Sequence, residues 1–495
     1  MKVLVYHKNI QNKGEKTMKR SLCLLLVILM SLSFCACGKS EASNETAAAN
    51  QGSEEKANSQ LQIGFAKVNT TPSYSVTLIG SSVNGDRYSN GIISYLFATC
   101  VAAKYGDEIY LLFTVDLLSL GDAMIQTLRD EITAAVPDVK SINIFFGATH
   151  AHNAPMYYQS GNTPEGKYRG EFINNIVTAA KLAVKDLTPA TMEVCKFQLE
   201  GMNFIRHYEM NDGTYAGSNF GSTASGYKAH AYEANNEMIL VNFPREGKEP
   251  VMLVNWAAHP ADPYDPAIGY LSICSDHPGW CRDKLEELTG AKVAYFNGAS
   301  GDVVPKSAIA EVNHGLNAKE YGIKLAEMAY EHIGELKPVE VDAICATGES
   351  VTVNVEHEME HLLAQCQEIA QMPAQGMRTE ADIMARSLGL TSYHHASAIV
   401  SRSKKGATEQ REINVLRIGP VSFTTGTYEM ASQHAEELKA ASPFEFTFQI
   451  CSNSSYIPRE EAIDYYSYEG NTRAYTRETG DMLVQKYVEL LNTIK

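Results

Sequence analysis

Along the chain, short runs that are apolar at nearly every position alternate with longer stretches whose apolar residues recur every three or four positions. Leu61 to Val68 alternates apolar and polar positions like a strand with one covered face, and it stops at Thr71-Pro72. Glu108 to Leu118, Ser141 to Gly147, Pro250 to Trp256 and Lys292 to Phe296 are apolar on both alternating sets, as strands buried on both faces are. Helical spacing runs through Ala123 to Val136, Phe172 to Leu187, Pro278 to Leu288, Glu360 to Met372, Glu380 to Ser403 and Thr479 to Ile494. Ile413 to Thr425 reads as a pair of strands. This alternation predicts an α/β fold of mixed β-sheets with helices packed outside, in one large domain over 61–495. No internal repeat is visible in the sequence. Polar residues cluster just beyond the carboxyl ends of the apolar strands, where open α/β sheets place their ligands.

The first sixty residues break the pattern. Lys19 and Arg20 follow Met18, Leu22 to Leu32 is almost purely apolar, and Phe34-Cys35-Ala36-Cys37-Gly38-Lys39-Ser40 comes next. A basic start, a short apolar run and a small residue before a cysteine resemble the processing box of a bacterial lipoprotein. Residues 1–37 are therefore expected to be a signal peptide, with Met18 as the candidate true start and Cys37 as the lipid-bearing residue. Residues 38–60, rich in Ser, Glu, Ala and Asn, are too polar to bury and read as a tether. The expected location is the cell envelope, lipid-anchored to the outer face of a bacterial membrane. Gly38-Lys39-Ser40 lacks the upstream glycine and strand of a phosphate loop.

A formal net charge of −16 argues against nucleic acid as a partner. Of ten cysteines, seven lie beyond the signal region, scattered and without a Cys-x-x-Cys pair, and are expected to be mostly buried free thiols.

The candidate chemistry rests on few residues. His150 and His152 are two apart after an apolar strand, so on an extended backbone both side chains leave from one face. Paired imidazoles suit zinc, although histidines at a strand end also cap loop backbone. His259 follows another buried strand and precedes Pro260. Asp302 lies in Asn297-Gly298-Ala299-Ser300-Gly301-Asp302-Val303-Val304-Pro305, where the glycines allow close backbone approach to a ligand and the carboxylate could act as general base. A tight turn is the plainer account of that segment. His357-Glu358-Met359-Glu360-His361 fits the zinc-protease pattern, which works only on a helix. Val351 to Val355 alternates like a strand and the helix is expected to begin near Glu358 or Glu360, so a charged helix start is the favoured reading.

Taken in order, these segments resemble the neutral (non-lysosomal) ceramidase family, and most of all its short bacterial relatives, over roughly Gln62 to Gly480. Thr149-His150-Ala151-His152-Asn153-Ala154-Pro155, Asn255-Trp256-Ala257-Ala258-His259-Pro260, Ser275-Asp276-His277-Pro278-Gly279 and Gly301-Asp302-Val303-Val304-Pro305 are similar to successive blocks of that family. The resemblance implies a zinc ion held by His150, His259, Glu429 and Tyr456. It also implies Arg206 near the site, and His152 and Tyr468 as donors to a developing oxyanion. Tyr468 stands twelve residues after Tyr456, as in the family. The interval from Glu429 to Tyr456 is shorter than in ceramidases, and Thr427-Tyr428 replaces a Pro-Gly before the glutamate.

Two departures matter. Val304 stands where ceramidases have a serine, and no C-terminal β-sandwich is expected after the catalytic domain. The implied activity is zinc-dependent hydrolysis of an amide in an N-acyl lipid such as ceramide, through a metal-held hydroxide with Asp302 as base. Hydrolysis of another N-acyl or O-acyl compound, and ligand binding without catalysis, are the competing expectations.

Overall fold

The computed structural model describes residues 60–80, 87–217, 226–260, 271–309, 313, 315–452, 455–465 and 467–495. The expected signal peptide, Cys37 and the tether up to residue 59 lie outside the described residues.

Three sheets carry most of the described strands, and each is built the same way. In the first, β1 (Gln62–Asn69), β2 (Phe97–Tyr105) and β3 (Glu108–Val115) form an antiparallel meander. Helix α1 (Asp122–Ala135) then carries the chain back so that β4 (Val139–Ala148) lies parallel to β3, and α2 (Pro164–Lys185) follows. In the second, β5 (Met192–Gln198), β6 (Glu237–Arg245) and β7 (Lys248–Trp256) are again antiparallel. Helix α3 (Asp276–Thr289) crosses over to β8 (Lys292–Asn297), parallel to β7, and α4 (Ala318–Glu331) follows.

The third sheet opens with β9 (Ile344–Asn354) and β10 (Thr408–Ile418), between which run three helices, α5 (Leu363–Gln371), α6 (Arg378–Ser387) and α7 (Tyr393–Arg402). β11 (Val421–Gly426) pairs antiparallel with β10, α8 (Ser432–Ala441) crosses over, and β12 (Phe446–Cys451) lies parallel to β11. Short helices α9 (Glu460–Asp464) and α10 (Tyr468–Thr472) lead to α11 (Thr479–Thr493). The chain thus does contain a repeat, of topology and not of sequence: three strands, a crossover helix, a parallel strand and a covering helix, three times over.

Side-chain alternation explains the apolar runs. Along β3, Ile109, Leu111, Phe113 and Val115 point to an outer core shared with Leu128 of α1 and Ile176 of α2. Tyr110 and Leu112, on the other face, join a core built from all three sheets, with Leu253 and Phe296 of the second and Leu416, Phe423 and Phe448 of the third. The second sheet's outer face, through Val254 and Trp256, packs on Leu285 of α3 and Leu325 of α4, and the third's, through Ile413 and Val415, on Leu438 of α8 and Leu491 of α11. Three sheets therefore enclose a common core and wear their helices outside, as expected. A strand covered on both faces has no polar side to show, which is why its sequence reads as a continuous apolar run.

The parallel strands β4, β8 and β12 touch one another. Gly147 at the end of β4 makes this possible: a Cβ there would stand 2.5 Å from Ile450 Cγ2 of β12. Thr114 Oγ1 donates to the Tyr295 carbonyl at 2.6 Å, and Asn255 Nδ2 donates to the Gln449 carbonyl at 3.1 Å, pinning first sheet to second and second to third. The loops beyond these strand ends are consequently brought to one place. The seven cysteines of this region are free, and all but Cys345 are buried. No helix of the described residues is long and apolar enough to cross a membrane.

Candidate metal centre

β4 ends at Ala148, and Thr149 N donates to Val115 O at 2.9 Å. His150 then takes a left-handed backbone, φ 66°, rare for a residue with a side chain and strained by roughly 1–3 kcal/mol. The extended backbone expected across His150 and His152 is therefore broken between them, yet their rings still converge, with centroids 4.9 Å apart. His259 enters from the end of β7, with its centroid 4.5 Å from that of His150.

Each imidazole is fixed from behind by a backbone carbonyl. His150 Nδ1 donates to Leu118 O at 2.8 Å, His259 Nδ1 donates to Ser300 O at 3.2 Å, and His152 bonds the backbone of Gly80. The Nε2 atoms face inward: those of His152 and His259 lie 3.0 Å apart, and that of His150 is 3.3 Å from Glu429 Oε2. One ring nitrogen from each of the three histidines falls within a 4.8 Å group. Burial holds the rings neutral, pushing His150 down to about 4 and His152 and His259 well below the usual imidazole range. Lone pairs are therefore available at neutral pH.

Glu429 follows β11, and Glu429–Met430 pairs with Tyr456–Ile457, which follows β12. Its Oε2 is buried without a hydrogen-bond partner, and burial raises the carboxyl to about 8. Nitrogens of His150 and His259 lie 3.3 and 3.9 Å from this oxygen, and with His152 beside His259 the three neutral rings and the carboxyl are a donor set suited to a borderline-soft divalent cation. The backbone carbonyls behind the rings are the customary outer support of histidine ligands.

Around this centre the structure gathers the remaining residues named from the sequence. The Tyr456 phenol receives Arg206 Nη2 at 3.3 Å, and the Tyr468 ring stands edge-on to Tyr456, centroids 5.5 Å apart. Arg206 is buried, donating from Nη2 to Gly301 O and from Nε to Glu469 Oε1, both at 2.6 Å. Burial opposes its charge, but Glu469, Tyr456 and Glu429 together outweigh that and raise the guanidinium further.

Two of the expected site residues carry further bonds. Asp302 is at the right level of the fold, but its carboxylate is occupied: Oδ2 accepts from Tyr232 OH at 2.5 Å and Oδ1 from Ser432 N at 2.8 Å. Its glycine neighbours serve backbone packing, since a Cβ on Gly301 would stand 3.0 Å from the carbonyls of Glu429 and Met430. These bonds tie Asp302 to the turn after Glu429. His152 is held by Gly80, with its Nε2 toward His259.

Sequence reasoning missed Glu469, His207 and Tyr232. Glu469 Oε2 lies 2.6 Å from His207 Nε2, and Tyr465 OH lies 2.8 Å from His207 Nδ1. Their one sequence signal is adjacency, Arg206-His207 and Tyr468-Glu469. The His357/His361 pair is not on an α-helix: Met359 between them has φ 65° and a 3₁₀ turn begins at Glu360.

No family model matches the chain, and no curated protein matches it in sequence. Solved structures do match in fold. Neutral ceramidase from Pseudomonas aeruginosa superposes with a TM-score of 0.66 over 88% of this chain and 74% of that one, at 15% identity. A structure described as ceramidase complexed with C2 gives 0.63, again at 15% identity, over 88% of this chain and 75% of that one. The class defined here is therefore an α/β fold of three sheets with histidines at its strand ends. More particularly, it is the fold of neutral ceramidase.

Proposed function

We propose that this chain is a zinc-dependent hydrolase that cleaves the amide bond of an N-acyl lipid such as ceramide. The observation that carries the reading is the convergence of one ring nitrogen each from His150, His152 and His259, with the partnerless Glu429 Oε2 beside His150. The ceramidase fold supports the same substrate class. His150, His259, Glu429 and Tyr456 would hold the ion. Zinc so held polarises a carbonyl and lowers the pKa of a water toward about 7.

The chain's own groups do the rest. His152 Nε2, neutral in the buried ring, would accept the proton released by the attacking water, face the developing oxyanion as an imidazolium, and deliver the proton to the amine nitrogen as the C–N bond breaks. Tyr468 OH donates to the same oxygen, an effect worth roughly 3 kcal/mol per donor. Arg206 orients the Tyr456 phenol. Asp302 braces the Glu429–Ser432 turn through its bonds to Tyr232 and Ser432 N. Val304 offers no nucleophile, and none of these steps requires one.

The test is a hydrolysis screen of ceramide, short N-acyl amines, N-acyl amino acids and simple esters, with and without chelator, beside metal analysis of the purified protein. Zinc near one per chain and chelator-sensitive amide cleavage are expected. Absence of both sinks the reading, and cleavage of esters alone replaces the amide with an O-acyl substrate. Asp302→Asn and His152→Ala decide the base: only the second should abolish turnover while the protein stays folded. We also propose export and lipidation at Cys37, for which Cys37→Ala should release the protein from the membrane fraction.

A further inference from the structure

Two residues apart from the candidate metal ligands dominate the buried charge of the site, Arg206 and Glu469, 3% and 1% exposed. Glu469 divides its carboxylate between consecutive residues: Oε1 takes Arg206 Nε and Oε2 faces His207 Nε2, each at 2.6 Å. His207 is closed from behind by Tyr465 OH at 2.8 Å, so it cannot swing away from Glu469. Arg206 Nη2 also pairs with Glu469 Oε1 and reaches Gly301 O at 2.6 Å and the Tyr456 phenol at 3.3 Å. Glu469 also sits one residue from Tyr468, in the first turn of α10, whose Ser467 cap accepts from Gly470 N at 2.9 Å. A single buried carboxylate thus fixes the guanidinium that reaches Tyr456 and the helix start that carries Tyr468.

We infer that Glu469 is the positioning residue of the site, setting Arg206 against Tyr456 and Tyr468 beside both. The inference rests on the hydrolase reading above. Its physical basis is angular: a guanidinium is a planar fork, so fixing Nε and one Nη by carboxylate and carbonyl leaves the fork a single orientation. Lys at 206 or a neutral amide at 469 would keep a polar contact but lose that constraint. The ionised state is secure, since burial is outweighed by Arg206 and His207, which hold the carboxyl down at about 2.

Glu469→Gln keeps the shape and removes the charge. The readouts are the melting temperature, zinc affinity by chelator competition, and kcat and KM separately on the N-acyl substrate the wild type turns over. The expected result is a folded, zinc-loaded variant whose kcat falls by about 10- to 100-fold while KM is little changed, the size usual for outer-sphere partners of a metal site. Glu469→Asp, which keeps charge but shortens reach, should recover part of that loss. A role in stability alone would lower the melting temperature and leave kcat of the folded fraction untouched, and that result overturns the inference. Should Glu469→Gln fail to fold, Arg206→Lys is measured the same way, and wild-type kcat there overturns it equally. The two readings fail differently: a wild type without zinc or turnover removes the hydrolase, whereas an active wild type matched by Glu469→Gln removes only the positioning role.

Discussion

Two of the chain's closely spaced histidine pairs invite comparison, and only one of the two is gathered with a third histidine. His150 and His152 are joined by His259, each ring bonded to the backbone so that Nε2 faces the other groups of the site. His357 and His361 match a better-known zinc motif, yet they lie on a turn. His357 spends Nδ1 on Glu360 at 2.6 Å and Nε2 on Gly406 O at 3.3 Å, and the Glu360 hydrogen bond raises its pKa. His361 is exposed. The difference is one of support: a ligand needs its far nitrogen satisfied and its near nitrogen turned toward the other ligands. The 150/152 pair meets both conditions, whereas Glu360 and Gly406 take both nitrogens of His357.

The comparison breaks or sharpens at measurable points. His150→Ala should remove bound zinc and lower hydrolysis by more than about a thousandfold, beyond what losing one oxyanion donor costs; retention of both would dissolve the contrast. Tyr468→Phe should keep zinc and lower kcat by about 100-fold, checked by steady-state kinetics. Zinc affinity should change with pH by up to about tenfold per unit, because Glu429, at about 8 without metal, must lose its proton to ligate. The sign follows: below that value binding releases a proton, so affinity rises with pH, and above it the gain levels off. Calorimetry in buffers of different ionisation enthalpy reads the released proton directly. Last, His357→Ala with His361→Ala should leave zinc content and turnover unchanged and shift stability by no more than about 0.5 kcal/mol, as surface changes do.

The strands that deliver the histidines were legible because burial on both faces writes an apolar run into the sequence. β2 was not: Ala98, Ala102 and Ala103 are small and carry no strand signature, though the strand is central. α4 was hidden by Gly322 in its middle, and the reason is contact: a Cβ there would stand 2.6 Å from the His277 carbonyl of α3. α2 begins at Pro164, two turns before its apolar spacing becomes evident at Phe172, under a Thr163 cap. At the site, His150, His259, Glu429 and Tyr456 were each readable through a resemblance in short blocks. The Glu469 bonds to Arg206 and His207 were not, since they join residues more than 260 positions apart for which the chain shows no local pattern. The threefold repeat left no trace in sequence for a related reason: topology survives wherever apolar faces are kept, whatever residues keep them.

That repeat has a consequence for how the protein comes into being. The first unit brings His150 and His152, the second His259 and Arg206, the third Glu429, Tyr456 and Tyr468. No unit holds the complete proposed donor set, so a chain leaving the ribosome lacks the last proposed ligand until Tyr456 of the third unit has emerged. On the proposed reading, metal uptake would therefore be a late event that reports completed assembly. A bound ion would tie together three segments otherwise joined only through their shared apolar interior, lending most of its stabilisation to the slowest contacts to form.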